Sequence, residues 1–220
     1  MSGATRVRGE HDAVDRSVAR AAARERVRAE REVAALVSAG LRVLRRQGMA
    51  ACTVADVLAE AGLSTRAFYR HFTSKDELVL AIYAREAEAS TERLAERIAA
   101  TRSSRAAFEA WIDETLALGF DPRRARRTRV LAAEGKRLQA EFPEQFAAIT
   151  DGVIGALRDI LRAGRADGTF PTAHPDLDAA SIHAVVWACV EARLRSVPLD
   201  RAETRAHVLR FCAPALGARP

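Results

Sequence analysis

Lysine is nearly missing from this 220-residue chain: only Lys75 and Lys136 occur among 35 basic residues, and all the others are arginine. Cysteine is scarce as well. Cys52, Cys189 and Cys212 are unevenly spaced and form no C-x-x-C pair, which argues against a disulfide framework and reads each thiol as a small core residue. No apolar run approaches the ~18 residues of a membrane-spanning helix. The N-terminus lacks the apolar stretch of a signal peptide, so a cytoplasmic protein is expected. Signatures of catalysis are also missing. There is no G-x-S-x-G, no glycine loop to cradle phosphate, and the five histidines (His11, His71, His174, His183, His207) do not cluster with cysteine or carboxylates at ligand spacing. Neither an enzyme, a metal nor a cofactor is expected. Strand alternation and internal repeats are missing too, which leaves an all-α chain.

What is present is a core-forming composition and an uneven charge. Hydrophobic residues make up 49% of the chain, ample for a packed interior. Residues 1–75 hold 14 Lys+Arg against 8 Asp+Glu, whereas residues 76–220 hold 21 of each. The net charge of +6 therefore sits entirely in the N-terminal third, the electrostatic footprint of a nucleic-acid-binding end on a neutral body.

Residues 53–75 supply the structural counterpart of that charge. Val54, Val57, Leu58 and Ala61 recur with helical spacing, Gly62 follows as a left-handed stop, and Ser64 caps a new helix. Thr53 with Asp56, and Ser74 with Glu77, have capping-box spacing. Two short helices joined by so tight a turn are the layout of a helix-turn-helix whose second helix enters the major groove of DNA. In that second helix, Ser64 to about Phe72, Phe68 and Phe72 share the inward face. Thr65, Arg66, Tyr69 and Arg70 project outward, with His71 at the edge. Thr65 and Arg66 are placed for base edges, arginine being the usual bidentate reader of guanine. Tyr69, His71 and Lys75 are placed for phosphates, and Thr53 and Lys75 lie near helix N-termini that attract phosphate.

At these residues the chain resembles the TetR family of bacterial transcriptional regulators. The matching elements are Thr53-Val-Ala-x-Val-Leu, Ala61-Gly62-Leu63-Ser64, Phe68-Tyr69-x-His71-Phe72 and Ser74-Lys75-x-x-Leu78, within about residues 30–85. The resemblance implies an all-α homodimer with an N-terminal three-helix DNA-binding head and a larger C-terminal helical bundle for ligand and dimer contacts. Carried onto this sequence, the family's DNA contacts fall on Thr53, Ser64, Thr65, Arg66, Tyr69, His71 and Lys75. Arg70 stands where the family varies freely and is assigned to neither base, phosphate nor solvent.

The rest of the chain completes about nine helices. Residues 1–22 are expected to be a disordered basic arm, read first as an unstructured tail, with Arg6, Arg8, Arg16 and Arg20 tracking the DNA minor groove or backbone as the alternative. Residues 23–85 form the head and 86–220 the ligand-binding and dimerisation domain. Val33, Leu36, Val37, Leu41 and Leu44 line the first helix, which Gly48 ends. Asp121-Pro122 caps another, and the turn Asp167–Pro171 carries a phenylalanine expected to fold back onto the bundle. The eighth helix, about 176–197, has two apolar stripes (Ile182, Val185, Val186, Cys189 and His183, Trp187, Val190, Leu194), and the ninth, about 201–213, adds Val208, Phe211 and Cys212. Two copies of these helices would form a four-helix interface burying both stripes. By the same resemblance a small, largely apolar effector sits in the bundle, with Phe108, Trp111, Thr115, Phe146, His183 and Trp187 as candidate lining. The run Arg123, Arg124, Arg126, Arg127, Arg129 reads as a solvated face, with an inward arginine pairing an acidic ligand group as the alternative. Double-stranded DNA is the expected partner, no membrane is, and the function read from all this is a ligand-released repressor on a palindromic operator. The rival readings are an architectural DNA-binding protein without a ligand and an all-helical enzyme.

Overall fold

The computed structural model describes residues 3–218, with side chains from residue 18 onward. Among the described residues there are nine α-helices and no strand: α1 (Gly3–Ala51), α2 (Val54–Ala61), α3 (Thr65–His71), α4 (Lys75–Ala99), α5 (Ser104–Phe120), α6 (Pro122–Glu141), α7 (Pro143–Ala166), α8 (Pro175–Leu194) and α9 (Arg201–Cys212), closed by a 3-10 turn at Pro214–Leu216. The all-α architecture is therefore the one its composition and periodicity indicate. The chain divides into two compact units, Met1–Val79 and Leu80–Pro220. The division falls inside α4, six residues before the expected 85/86 boundary in the same helix.

The N-terminus departs from expectation. Residues 3–22 belong to α1 and are not a separate disordered arm; residues 1 and 2, and the side chains up to residue 17, lie outside what is described. From Ala19 onward alanine, arginine and glutamate favour helix at nearly every position, and pairs such as Arg26–Glu30 and Arg28–Glu32, at 3.5 and 2.9 Å, add i,i+4 support there. The helical path breaks at Gly48, whose φ of 76° and ψ of 174° are non-helical. In the first unit Leu36, Val43 and Leu44 of α1 are buried together with Val57 of α2 and Phe68 and Phe72 of α3. Paired arginines tie α1 to α2, Arg42 and Arg46 reaching Glu60 at 2.7 and 3.1 Å.

The second unit is organised around α5. Phe108, Trp111, Ile112 and Leu116 are all but inaccessible, and α5 packs on α6, α7, α8 and α9. Ser103 caps α5, its hydroxyl accepting from the Ala106 N–H. Asp121 accepts from the N–H groups of Arg123 and Arg124 ahead of Pro122, as the sequence indicates. Phe170 folds back as expected and is 1% exposed against Phe108.

The two stripes of the eighth helix need correcting. The buried set is Ala179, Ile182, Val186, Val190 and Leu194, which draws from both stripes. A four-residue stride on a straight helix drifts slowly enough to keep these on one face. Val185, Cys189, His183 and Trp187 are half-buried at its flanks, and Ala180, Ser181, Ala184 and Ala188 face outward. The helix surrounded on nearly all sides is α5 instead. The ends of α8 also shift: it begins at Pro175 and stops at Leu194, where the chain turns through Ser196 with φ of 69°.

Candidate nucleic-acid interface

The turn between α2 and α3 is built from the residues that mark it in the sequence. Gly62 is left-handed (φ 66°, ψ 32°), a conformation that costs glycine no Cβ strain. The N–H groups of Gly62 and Leu63 both reach the Leu58 carbonyl. Thr53 closes a full capping box: its hydroxyl accepts from the Asp56 N–H, while its own N–H and O–H both donate to the Asp56 carboxylate. Those bonds hold the Asp56 carboxyl below its ordinary range. The Ser64 hydroxyl accepts from the Ala67 N–H at 3.3 Å and keeps its own hydrogen to donate.

Two rings hold α3 in place. Phe68 is fully buried, with the Phe72 ring 5.7 Å away and the edge of Tyr69 5.3 Å away. The opposite face is open. Thr65, Arg66 and Tyr69 are exposed, Tyr69 by 61%, and among the described residues none of the three side chains makes a hydrogen bond or ion pair. A short helix that presents an unpaired guanidinium, a hydroxyl and a phenol on one side is suited to base edges and phosphate oxygens.

The other expected contacts are already engaged. The Thr53 hydroxyl hydrogen belongs to Asp56. The Lys75 ammonium donates to the carbonyls of Cys52 and Met49 at 3.1 and 3.4 Å, where the α1 segment ends. His71 turns inward: its side chain is 9% exposed and Nε2 lies 2.8 Å from a Glu32 carboxylate oxygen. Arg70, left unassigned by sequence, reaches the same oxygen at 3.1 Å, and Arg28 the other at 2.9 Å. Glu32 thus organises the last turn of α3 from 38 to 39 residues away. No local spacing announces such a residue. The one available signal is an acidic side chain adjoining the apolar stripe of a basic helix.

The His71 hydrogen bond, then that of Arg28, holds the Glu32 carboxyl below its usual range against the effect of burial. A carboxyl depressed in the folded state stabilises it above the unfolded pKa, near 4.3, and that stability is lost as pH falls through the folded value. Wild type is therefore expected to lose stability into acid, while Glu32→Gln starts less stable at neutral pH and converges with it. Thermal melts across pH in which the two curves stay parallel would refute this.

The six candidate ligand residues are in part brought together. His183 lies 6.2 Å from both Trp111 and Trp187, stacked on the latter, and burial lowers its imidazole pKa below the ordinary range. Phe108, Trp111 and Thr115 are buried along α5, the Trp111 N–H donating to Val153 and the Thr115 hydroxyl to Trp111. Phe146 instead packs on Tyr83 at 5.1 Å. The arginine run divides: Arg124 reaches the buried Glu114 at 2.6 Å, Arg127 lies 3.7 Å from Glu86, and Arg123, Arg126 and Arg129 are exposed. Among the described residues no helix is long and apolar enough to cross a membrane.

Residues 36–82 match the family model described as bacterial regulatory proteins, tetR family. Solved structures of similar fold include the transcriptional regulator FadR from Bacillus subtilis in complex with stearoyl-CoA, at 18% identity and a TM-score of 0.68 over 82% of this chain and 97% of that one. NemR from Escherichia coli, in its reduced form, aligns at 20% identity and a TM-score of 0.66 over 86% and 100%. A TetR transcription regulator from Haloarcula marismortui aligns at 22% and 0.64 over 84% and 96%. No curated relative matches the chain at a significant level.

Proposed function

We propose that this chain, a TetR-family transcriptional regulator by its head segment and its fold, is a ligand-released repressor that binds a palindromic operator as a homodimer. The observation that carries the reading is the open face of α3, with Thr65, Arg66 and Tyr69 unpaired at the only net-basic end of the chain. Arg66 and Thr65 read bases, Tyr69 and the free Ser64 hydrogen hold phosphate, and Thr53, His71 and Lys75 lie near the DNA backbone while their bonds fix the start of α2, the last turn of α3 and the end of α1.

The outward side of α8 and α9 supports a dimer. Leu177 and Phe211 are 74% and 63% exposed, and Ala180, Ala184 and Ala188 form a small-residue row between them. Small residues let helices of two copies approach closely, and a two-fold pair would present two α3 helices to successive major grooves.

The effector reading rests on the Trp111–His183–Trp187 group. A neutral imidazole offers one donor and one acceptor between apolar rings, which suits a largely apolar ligand with one polar group. A ligand that prefers one arrangement of the dimer shifts the population off DNA, and α4, which runs from the first unit into the second, is the natural lever.

The test begins with the operator. DNA fragments selected from the source genome are titrated with the full chain, then candidate ligands are added. A palindromic site and ligand-induced release are expected. Equal affinity for random DNA would favour an architectural protein, and an operator complex that no ligand in a broad screen disturbs would remove the effector. Arg66→Ala should cost about 1–3 kcal/mol at one base pair of the site, whereas Tyr69→Phe should weaken all sequences alike. Equal losses for both variants across mismatched sites would refute the division of roles.

A further inference from the structure

Three arginines without a counter-ion line one cleft of the second unit. It has a volume of about 370 Å³ and lies where the end of α5 and the start of α6 meet the end of α8. Phe120, Pro122 and Ala125 form its apolar side, and Arg126, Arg129 and Arg193 its cationic side. The helices approach closely here: a Cβ on Gly119 would stand 3.1 Å from the Val190 carbonyl oxygen.

Each arginine is held differently, and none is neutralised. Arg193 lies over the Phe120 ring, its guanidinium carbon 5.9 Å from the centroid, and its buried Nε has no hydrogen-bond partner. Arg129 is anchored by one bond, Nε to the Leu194 carbonyl at 3.0 Å, which leaves its terminal nitrogens available. Arg126 is exposed, and its side chain makes no polar contact among the described residues. Their neighbours on α6 behave otherwise, Arg124 reaching Glu114 and Arg127 Glu86. Among the described residues no carboxylate lies within ion-pair distance of the three.

Guanidinium groups match carboxylate and phosphate oxygens with parallel hydrogen bonds. Three of them around a partly enclosed space repel one another and leave donors unmet until an anion enters. The volume falls in the range of small-molecule sites, roughly 300–1,000 Å³, and one apolar wall beside a few converging polar groups is the usual make-up of such sites. We propose that this cleft binds the anionic end group, a carboxylate or phosphate monoester, of a small amphipathic molecule whose apolar portion lies against Pro122 and Ala125 beside the Phe120 ring. The site shares no residue with the Trp111–His183–Trp187 group and does not depend on the operator reading.

Calorimetric titration of the full chain without DNA tests it, using octanoate, octyl phosphate, octanol and inorganic phosphate. At least one of the two octyl anions should bind tenfold or more tightly than octanol, and whichever binds identifies the head group. Arg126→Gln and Arg193→Gln should each weaken that binding about tenfold or more without lowering the melting temperature, and Lys136→Gln should leave it unchanged. Arg126 is exposed, so its variant remains informative if Arg193→Gln folds poorly. Octanol binding as tightly as the anions, no binding of either anion, or full binding by Arg126→Gln would overturn the proposal. Inorganic phosphate binding as tightly as octyl phosphate would overturn its apolar wall. Because no DNA is present, failure here leaves operator release untouched, and the reverse holds as well.

Discussion

Gly164→Ala will destabilise the second unit even though alanine is the better helix former by about 1 kcal/mol. Gly164 lies in the last turns of α7, and a Cβ there would fall on the Phe170 ring. The ring cannot step aside: it is 1% exposed, its edge meets Phe108 with centroids 5.4 Å apart, and its own backbone N–H is bonded to the Gly164 carbonyl at 2.8 Å. Overpacking of this kind costs about 1–3 kcal/mol. Phe170→Ala, which removes the ring and leaves a cavity against α5, should cost about 3–5 kcal/mol. The double variant decides the argument. The three nearest neighbours of the added methyl all belong to that ring, so once the ring is gone Gly164→Ala with Phe170→Ala should be little worse than Phe170→Ala alone. Urea unfolding of the four proteins gives that coupling directly, and simple additivity would show that the glycine does not serve the ring.

The second large effect is at Glu114. Its side chain is 3% exposed in the middle of α5, and three arginines from two helices converge on it: Arg124 at 2.6 Å, Arg97 at 3.4 Å and Arg93 at 3.6 Å. Removing the charge with Glu114→Gln keeps the shape and leaves three guanidinium groups facing each other. Breaking a buried pair costs about 3–5 kcal/mol. The low end is expected, because the arginine side chains are 26–50% exposed and can turn to water. At about 2–4 °C per kcal/mol for a domain of this size, that is a fall of roughly 6–12 °C in Tm. Arg124→Met should cost less, since Arg93 and Arg97 still face the carboxylate. A Glu114→Gln melt within about 2 °C of wild type would mean that the cluster is solvated as well without its centre.

Much of this was legible from local chemistry. Thr53 with Asp56, Gly62, Ser64 and Asp121-Pro122 mark helix boundaries because each supplies a bond or a backbone angle that only a few residue types can provide. Phe68 and Phe72 declare the inward face of α3 by spacing alone, and Phe170 announces its return by being the one large apolar residue in a polar turn. The errors have physical causes too. The extent of α1 was missed because residues 3–16 have no apolar stripe, and Gly3 and Gly9 argue locally against a helix. The faces of α8 were misassigned because five apolar positions spaced by three or four residues can be grouped in more than one way.

What the sequence withheld were partnerships across the fold. Glu32 with Arg70 and His71, Glu114 with its arginines, and Lys75 with two main-chain carbonyls join residues 10 to 39 positions apart. With so many arginines, nothing in their spacing tells the paired from the free. Only the packed structure separates Arg66 and Arg126, which have no partner among the described residues, from Arg70 and Arg124, which do.

Lys75 and Lys136 are the only side-chain amines in the chain. Lys136 is exposed, while the Lys75 ammonium is turned onto the carbonyls of Cys52 and Met49. A lysine-acylating agent thus meets one open target and one shielded one. The shielded nitrogen becomes reactive only when the end of α1 lets go of it, so acylation at Lys75 records the transient opening of the head, against a background that the preference for arginine has almost emptied of competing sites.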